Sequence, residues 1–203
     1  MRIPYTPDPP PRPASPTTAE ITSRIAARRA PRPLQPLDLA LLHAPPVADG
    51  WNSFLGAIRT RTSLPAAARE LAICRVAVCN RAWYEWGHHA PLALAAGISA
   101  DVLGEGGIVR REDLGSVGEA ELEEARRGGV GEREWAVLRF ADEMTRKVEV
   151  SEEVFEKLRG VCSEREVVEV TATVAAYNCV SRFLVALDVG ERNNTGPDDV
   201  TPH

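Results

Sequence analysis

The chain has 203 residues and a formal net charge of −5 at pH 7, with 44% hydrophobic and 26% charged residues. These values are ordinary for a soluble globular protein, and the length leaves room for one domain with a proper core and little more. The acidic balance argues against a surface that follows a phosphate backbone, so we expect no nucleic-acid partner.

Proline and other turn-forming residues mark the two ends of the chain. Ten of the sixteen prolines lie within residues 1–36, and the run at residues 9–13 contains four of them. Such a run is typical of an extended segment without core contacts, so residues 1–15 are predicted to form a flexible arm. Residues 191–203, with several Asn, Gly and Pro, are predicted to form a flexible tail. Residues 16–190 are then the structured domain.

Helix signals follow one another through this domain. Thr17-Thr18-Ala19-Glu20 has the form of a capping box and predicts a first helix to about Arg29. The glycine-rich segment 104–131 predicts a mobile surface insertion, with a helical turn or two near Ala120 to Arg126. The other predicted helices run from Ser63 to about Asn80, from about Ala82 to Ala96, from a cap at Ser99, from Glu132 to Arg146, from Ser151, and from a capping box at Ser163 to Leu187. This pattern predicts an all-α fold.

Two predicted helices, at Leu71–Cys79 and Val167–Leu187, are apolar nearly all round. A small monomer has few places where a helix is covered on every side, so we expect both to be partly covered by another subunit. The sequence therefore predicts an obligate homo-oligomer, either a dimer, a trimer or a hexamer.

The second of these helices is also long enough to cross a membrane. Glu169, Asn178 and Arg182 lie inside it and would be costly in lipid, so a core helix is favoured and no membrane partner is expected.

The four cysteines, Cys74, Cys79, Cys162 and Cys179, lie in apolar segments without a Cys-x-x-Cys pair or regular spacing. This usage predicts buried thiols in a reducing compartment rather than a disulfide framework or a zinc site. No apolar stretch typical of a signal peptide is visible at the N-terminus, so a cytoplasmic location is expected.

Reactive side chains concentrate between residues 79 and 91. On a helix, Glu85 lies four residues before His89 and three before His88, so the three side chains can share one face. A carboxylate beside an imidazole fixes its tautomer and raises its basicity, which suits general acid–base chemistry near neutral pH. Pro91 predicts a kink beside these groups. The alternative interpretation is an ordinary surface pair that contributes a few tenths of a kcal/mol.

The two adjacent histidines are poor candidates for a shared metal site. Neighbouring helical residues point about 100° apart, so His88 and His89 are not expected to bind one ion. The sequence gives no reason to expect a metal or any other cofactor.

The motif residues resemble a known family. Arg69-Glu70-Leu71-Ala72-Ile73, followed by Tyr84-Glu85-Trp86-x-His88-His89-x-Pro91, is similar to the carboxymuconolactone decarboxylase family. The resemblance continues at residues 136–143 and 177–184 and covers roughly residues 38–190, although segment 104–131 is longer than the family leads us to expect. It implies an alkylhydroperoxidase D-like helical bundle.

The peroxidase branch of this superfamily has a Glu, a Cys-x-x-Cys pair and a His four residues after the second Cys. If His89 is that histidine, the two cysteine positions fall on Ala82 and Glu85. Cys74 and Cys79 lie one helix earlier with i,i+5 spacing and cannot substitute for the pair. The resemblance therefore implies the branch that lacks the disulfide motif.

This resemblance implies a carboxy-lyase acting on a small carboxylated lactone or a related ring acid. We expect His89 to donate the proton, Glu85 to orient it and Glu70 to complete the relay. Expected substrate contacts are an accessory His88, a cation to bind the substrate carboxylate, and aromatic walls. The candidates for the cation are Arg75 and Arg182, and the candidates for the walls are Trp86 and Tyr84.

Several of these assignments have alternatives. Arg75 and Arg182 can equally form internal ion pairs with Glu70 or Glu169, and the aromatic residues can belong to the core or to a subunit contact. Two other functions stay open at this point: an alkylhydroperoxidase-like antioxidant protein of peroxiredoxin type, and a non-catalytic oligomer that binds a ligand.

Overall fold

The computed structural model describes residues 1–7 and 16–199, and every regular element in them is helical. The predicted all-α fold class is therefore confirmed. The α-helices of the described residues are α1 (Pro16–Arg29), α2 (Pro36–Leu41), α3 (Pro45–Thr60), α4 (Ala66–Asn80), α5 (Trp83–Ala95), α6 (Ala100–Leu103), α7 (Glu119–Arg127), α8 (Glu132–Lys147), α9 (Glu152–Val161) and α10 (Glu164–Leu187), with a 3₁₀ turn at Ile108–Arg110.

Helix α4 lies at the centre of the molecule and packs against α5, α8 and α10. Its apolar residues from Leu71 to Ala77 are buried, and Arg75 in their midst is fully buried too. This corrects one expectation: α4 is covered by its own chain and needs no second subunit to bury it. The physical reason is that three long helices of one chain surround it.

In the described residues, two larger apolar clusters both include residues of α4, and a third, smaller one lies among α1, α2 and α3. The first lies among α3, α4, α8 and α10 and includes Tyr84 and Tyr177. The second lies among α4, α5 and the segment after α5, and it includes Trp86 and Cys74. Tyr84 and Trp86 are two residues apart on one helix, so they point into different clusters.

Helix α10 is the one element in the described residues that is long and apolar enough to cross a membrane by length and composition. Val170, Val174 and Tyr177 on one of its faces are buried against the rest of the chain, whereas Val168 is 67% exposed. Its Ser163 hydroxyl accepts the Glu166 amide, as the capping box predicts. The packing is that of a core helix with one face left open.

The glycine-rich segment 104–131 differs from the prediction of a mobile surface insertion. Val109, Leu114 and Val130 are fully buried in the second apolar cluster. A Cβ atom on Gly107 would lie 2.3 Å from the Asp101 carbonyl oxygen, so glycine here permits a close backbone approach. The helical turn predicted near Ala120 is present as α7. The segment is packed because three apolar residues anchor it between the glycines.

The N-terminal arm also differs from its prediction where it is described. The Arg2 amide donates to the Leu187 carbonyl at 2.8 Å, and the Tyr5 hydroxyl accepts the Gly190 amide at 2.8 Å. Residues 1–7 therefore lie against the end of α10, because Tyr5 and its neighbours bring apolar surface that the proline pattern does not reveal. Residues 8–15 of the predicted arm lie outside the described residues.

The C-terminal segment is likewise bound to the domain as far as residue 199. The Trp86 indole donates to the Pro197 carbonyl at 3.1 Å, and Arg110 forms an ion pair with Asp198 at 2.7 Å. A Cβ atom on Gly190, whose φ is +76°, would lie 2.3 Å from the Tyr84 ring, so the chain passes closely over that side chain. Residues 200–203 of the predicted tail lie outside the described residues.

Candidate active site

The turn between α4 and α5 brings the predicted acid–base residues together. Arg81 ends α4 in the left-handed conformation, at φ 52°, and reverses the chain so that α5 packs along α4. His89 on α5 then lies opposite Glu70 on α4, and the His89 Nδ1 to Glu70 Oε2 distance is 2.6 Å. Both residues are buried. This is a short, enclosed hydrogen bond between an imidazole and a carboxyl group.

The environment favours an ionised Glu70 and a neutral His89. Burial raises the pKa of Glu70, but the hydrogen bond from His89 and nearby positive charge, including that of Arg69, outweigh it and leave the pKa below its ordinary value. Burial lowers the pKa of His89, and the Glu70 contact offsets this in part. In this state the His89 Nδ1–H donates to Glu70, which leaves Nε2 as the acceptor nitrogen.

Glu85 has an environment of the opposite kind. Its residue is 2% exposed, and neither carboxyl oxygen has a hydrogen-bond partner among the described residues. Burial raises its pKa well above the ordinary value, which favours the protonated form of the carboxyl group. The prediction that Glu85 orients His89 is therefore wrong in its geometry. Glu70 makes the contact with the His89 ring, across the helix pair.

Glu85 and His89 line a small cavity of about 60 Å³. The Tyr177 ring of α10 meets the His89 ring edge-on, with centroids 4.9 Å apart. On the other side α3 contributes Trp51 and Arg59 to the wall. The space is about that of two water molecules, so it can accept one functional group of a ligand rather than the whole of it.

Tyr84 and His88, two residues that the sequence analysis offers as substrate contacts, line the same cavity. The two rings lie 4.4 Å apart between centroids, and His88 Nδ1 lies 2.8 Å from the Tyr84 carbonyl oxygen. Trp86 belongs to a different environment: it is buried in the second apolar cluster and binds Pro197. Trp86 does not line the cavity, because it points to the opposite side of α5.

Neither predicted substrate cation lies at the cavity. Arg75 is fully buried, and its guanidinium binds Asp142 at 2.6 Å and the carbonyl oxygens of Val109 and Arg111 at 2.7 Å each. Its hydrogen-bonding capacity is used inside the protein, although its partner is Asp142 rather than the acidic residues considered from the sequence. Arg182 is exposed and bonds within its own helix to Asn178.

Trp51, Arg59 and Tyr177 are among the cavity residues that carry no site assignment from the sequence. They come from α3 and α10, far along the chain from the Glu85–His89 segment. No spacing in the sequence links them to it, because their proximity arises from the packing of α3 and α10 around α4 and α5. The buried face of α10 is the one signal that could have pointed to Tyr177.

The cysteines do not form a reactive pair in the described residues. Cys74 is completely buried, and burial raises its thiol pKa well above the ordinary value. Burial likewise raises the pKa of Cys79 to about 11. A thiol of this kind is almost entirely protonated near neutral pH and is a poor nucleophile.

In the described residues, the fold and the site define an all-helical protein with a buried carboxyl–imidazole pair beside a second buried carboxyl group, which has no hydrogen-bond partner there. Residues 45–127 match the model of the Carboxymuconolactone decarboxylase family. The matched segment includes Glu70, Glu85 and His89, so the resemblance seen in the sequence is confirmed. No curated protein matches the chain. Among the described residues, no group of three or more His, Cys, Asp or Glu could hold a metal ion.

Proposed function

We propose that the protein is an enzyme of carboxy-lyase type that acts on a small carboxylated lactone or a related ring acid. The supporting observation is the buried Glu70–His89 hydrogen bond beside Glu85, a carboxyl group without a partner and with a raised pKa. A neutral acid and an oriented imidazole in one enclosed site can exchange protons with a substrate near neutral pH. We also propose that the protein is soluble and acts in the cytoplasm.

The reaction replaces a carbon–carboxylate bond with a carbon–hydrogen bond. The electrons of the broken bond pass to the ring carbonyl as carbon dioxide leaves, and an enolate forms. In our proposal Glu85 gives its proton to the ring carbon and is then reprotonated from solvent. His89, held by Glu70, takes up a proton when the anionic substrate binds and donates a hydrogen bond to the enolate oxygen. Glu70 is therefore a positioning residue.

The peroxidase alternative has no observation in its favour. It needs an accessible thiolate, whereas Cys74 is buried and the pKa of Cys79 is raised to about 11. A family domain without the disulfide motif is compatible with lyase chemistry; Cys74 then serves core packing, and Cys179 is a single exposed thiol on α10.

The proposal is tested by incubating the protein with a panel of carboxylated lactones and ring acids and measuring carbon dioxide release. In deuterated water the product should carry one deuterium at the carbon that lost the carboxylate. We expect Glu85→Gln to lower kcat by about 10²–10⁴-fold, the range for a general acid. Glu164→Gln, at an exposed site on α10, is the matched control and should leave kcat unchanged.

Two results would contradict the proposal. One is that the folded protein releases carbon dioxide from no compound of the panel. The other is release at the same rate by the wild-type protein and the Glu85→Gln variant, since the proton would then come from elsewhere.

A further inference from the structure

An open cleft of about 460 Å³ adjoins the small cavity, and five arginines line it. We refer to this surface as the arginine cleft, made of Arg28, Arg29, Arg32, Arg59 and Arg69. Three of the five also line the cavity, so the two spaces share a wall. Glu70 lies in that wall, since it lines the cleft and binds His89, which lines the cavity.

Two of these arginines have carboxylate partners. Arg29 makes a two-pronged ion pair with Asp38, with both N–O distances 2.8 Å, and Arg69 lies 3.2 Å from Glu70. Arg28 binds the neutral side chain of Asn52. The cleft therefore holds five positive charges against two negative ones, in a chain whose net charge is −5.

The excess positive charge is centred on Arg32 and Arg59. Their side chains make no hydrogen bond or ion pair with any residue that the structure describes, and Arg59 is half-buried. Burial and the charge of Arg29 lower the pKa of Arg28, and Arg59 contributes to the same effect. Cations that repel one another in a concave, partly buried site are stabilised when an anion binds among them.

We propose that the arginine cleft is an oxyanion-binding site in which Arg32 and Arg59 bind a carboxylate or phosphate group of the ligand. The remainder of the ligand reaches past Glu70 into the small cavity. The sizes agree with this division, because the cavity holds a single functional group whereas the cleft is within the usual range of ligand sites, about 300–1,000 Å³. Guanidinium groups suit this role because their planar donors match carboxylate and phosphate oxygens.

The site is a feature of this chain beyond its family domain. Arg28, Arg29 and Arg32 lie in and just after α1, outside the matched residues 45–127, and Arg59 and Arg69 lie inside them. A segment that the family match does not include thus completes the cleft. The inference does not rest on the proposed lyase reaction, because it concerns binding and would hold for a non-catalytic protein.

The test is calorimetric titration with two probes, malonate and inorganic phosphate, with choline chloride at equal ionic strength as the reference. Malonate represents a ligand with a carboxylate group, and inorganic phosphate represents a phosphorylated ligand. The probe that binds more tightly shows which of the two groups the cleft prefers. We expect the Arg32→Gln/Arg59→Gln variant to weaken binding of that probe by about ten- to a hundredfold, as for the loss of charged hydrogen bonds. Arg61→Gln/Arg159→Gln removes the same charge at exposed positions outside the cleft and should bind as the wild-type protein does.

A second measurement uses the unmodified protein and so does not depend on how the variant folds. The charge of Arg59 contributes to lowering the pKa of His89, and an anion beside Arg59 should raise that pKa. Nuclear magnetic resonance of the His89 ring should record this rise with the bound probe and none with choline chloride. The proposal is overturned if neither probe binds more tightly than chloride, if both double variants lose affinity equally, or if the His89 pKa does not move.

Discussion

Glu85 is a buried carboxyl group without a partner, and this makes the stability of the protein depend on pH. Its pKa is raised in the folded state, so folding favours the protonated form. This preference contributes fully to the free energy of unfolding at pH values below the pKa that Glu85 has in the unfolded chain, which is near that of an ordinary glutamate. This contribution is lost as the pH rises toward the folded-state pKa.

Glu85→Gln should therefore make the protein more stable than the wild type at pH 8 and bring the two together near pH 4. The amide cannot ionise, whereas the wild-type protein loses about 1.4 kcal/mol per pH unit between the unfolded and folded pKa values. Urea unfolding at pH 4, 5, 6, 7 and 8 measures the difference.

Glu169 supplies a control of opposite sign. Although burial raises its pKa, hydrogen bonds from Ser63 and Arg165 outweigh this and leave the pKa below its ordinary value. Glu169→Gln should reduce the free energy of unfolding at neutral pH, and the loss should shrink in acid. Parallel pH profiles for wild type and Glu85→Gln would show that Glu85 is ionised in the folded protein.

The Glu70–His89 pair should behave as one unit in catalysis. His89→Gln is expected to lower kcat by about 10²–10⁴-fold, and Glu70→Gln less, because an amide still holds the ring but does not stabilise its charged form. The double variant should be little worse than His89→Gln alone. Rates of carbon dioxide release and their pH profiles give these values.

His88→Ala is the matched control for His89, since His88 is bound to the Tyr84 carbonyl and not to Glu70. We expect a mild effect from it. If His88→Ala loses turnover while His89→Gln keeps near-normal rates, the assignment of the chemistry to His89 is wrong.

The residues of the site differ in how far the sequence could predict them. Glu85 and His89 share a helix face by spacing alone, so their common location at the cavity followed from a local rule. The raised pKa of Glu85 could not be predicted from such a rule, because it depends on the absence of a hydrogen-bond partner across the helix pair. Glu70 was included through the family resemblance, and its contact with His89 required the turn at Arg81.

At the level of whole helices, the Arg75–Asp142 ion pair joins α4 to α8. Arg75 is fully buried, and Asp142 accepts hydrogen bonds from it at 3.0 and 2.6 Å and from Arg146 at 2.7 Å. Removing one member of such a pair leaves the other charge buried and uncompensated.

Asp142→Ala should therefore lower the free energy of unfolding by about 3–5 kcal/mol. Glu153→Ala, which removes an exposed carboxylate paired with Lys157, is the control and should leave stability nearly unchanged. Urea unfolding of both variants measures the difference. Equal effects of the two substitutions would mean that Arg75 finds other partners or that water reaches it.

The helices themselves were largely predictable because their signals are local. Ser99 and Ser163 cap α6 and α10 as expected, and α5 ends before Gly97, whose φ is +97°. Helices α2 and α3 were not among the predictions. The packing of segment 104–131 was also missed, since its glycines dominate the local pattern and its buried residues are widely separated.

At the scale of the whole molecule, exposed apolar side chains are the basis for predicting contact with a second copy of the chain. Helix α4 is buried by its own chain, but α3 and α10 leave apolar side chains exposed, with Phe54 at 49% and Val168 at 67%. Exposed apolar side chains on helices favour association with a second copy.

We therefore predict a homo-oligomer, to be measured by sedimentation at micromolar concentration. Phe54→Glu/Val168→Glu should shift it toward the monomer, because charges would be buried in the contact. Val148→Glu changes an 82% exposed residue after α8 and is the control. A well-folded wild-type monomer at these concentrations would refute the prediction.

Trp51 lies at the cavity, whereas Trp83, Trp86 and Trp135 belong to or pack against the second apolar cluster. Trp51 lines the cavity and packs against Phe183, Trp86 is bound to the C-terminal segment, and Trp135 lies against the Arg139 guanidinium. Intrinsic fluorescence can therefore report cavity occupancy through Trp51, with Trp51→Phe as the blank. A compound that changes the emission of the wild-type protein but not that of Trp51→Phe binds at the cavity. A chemical library can be screened in this way before any reaction is known.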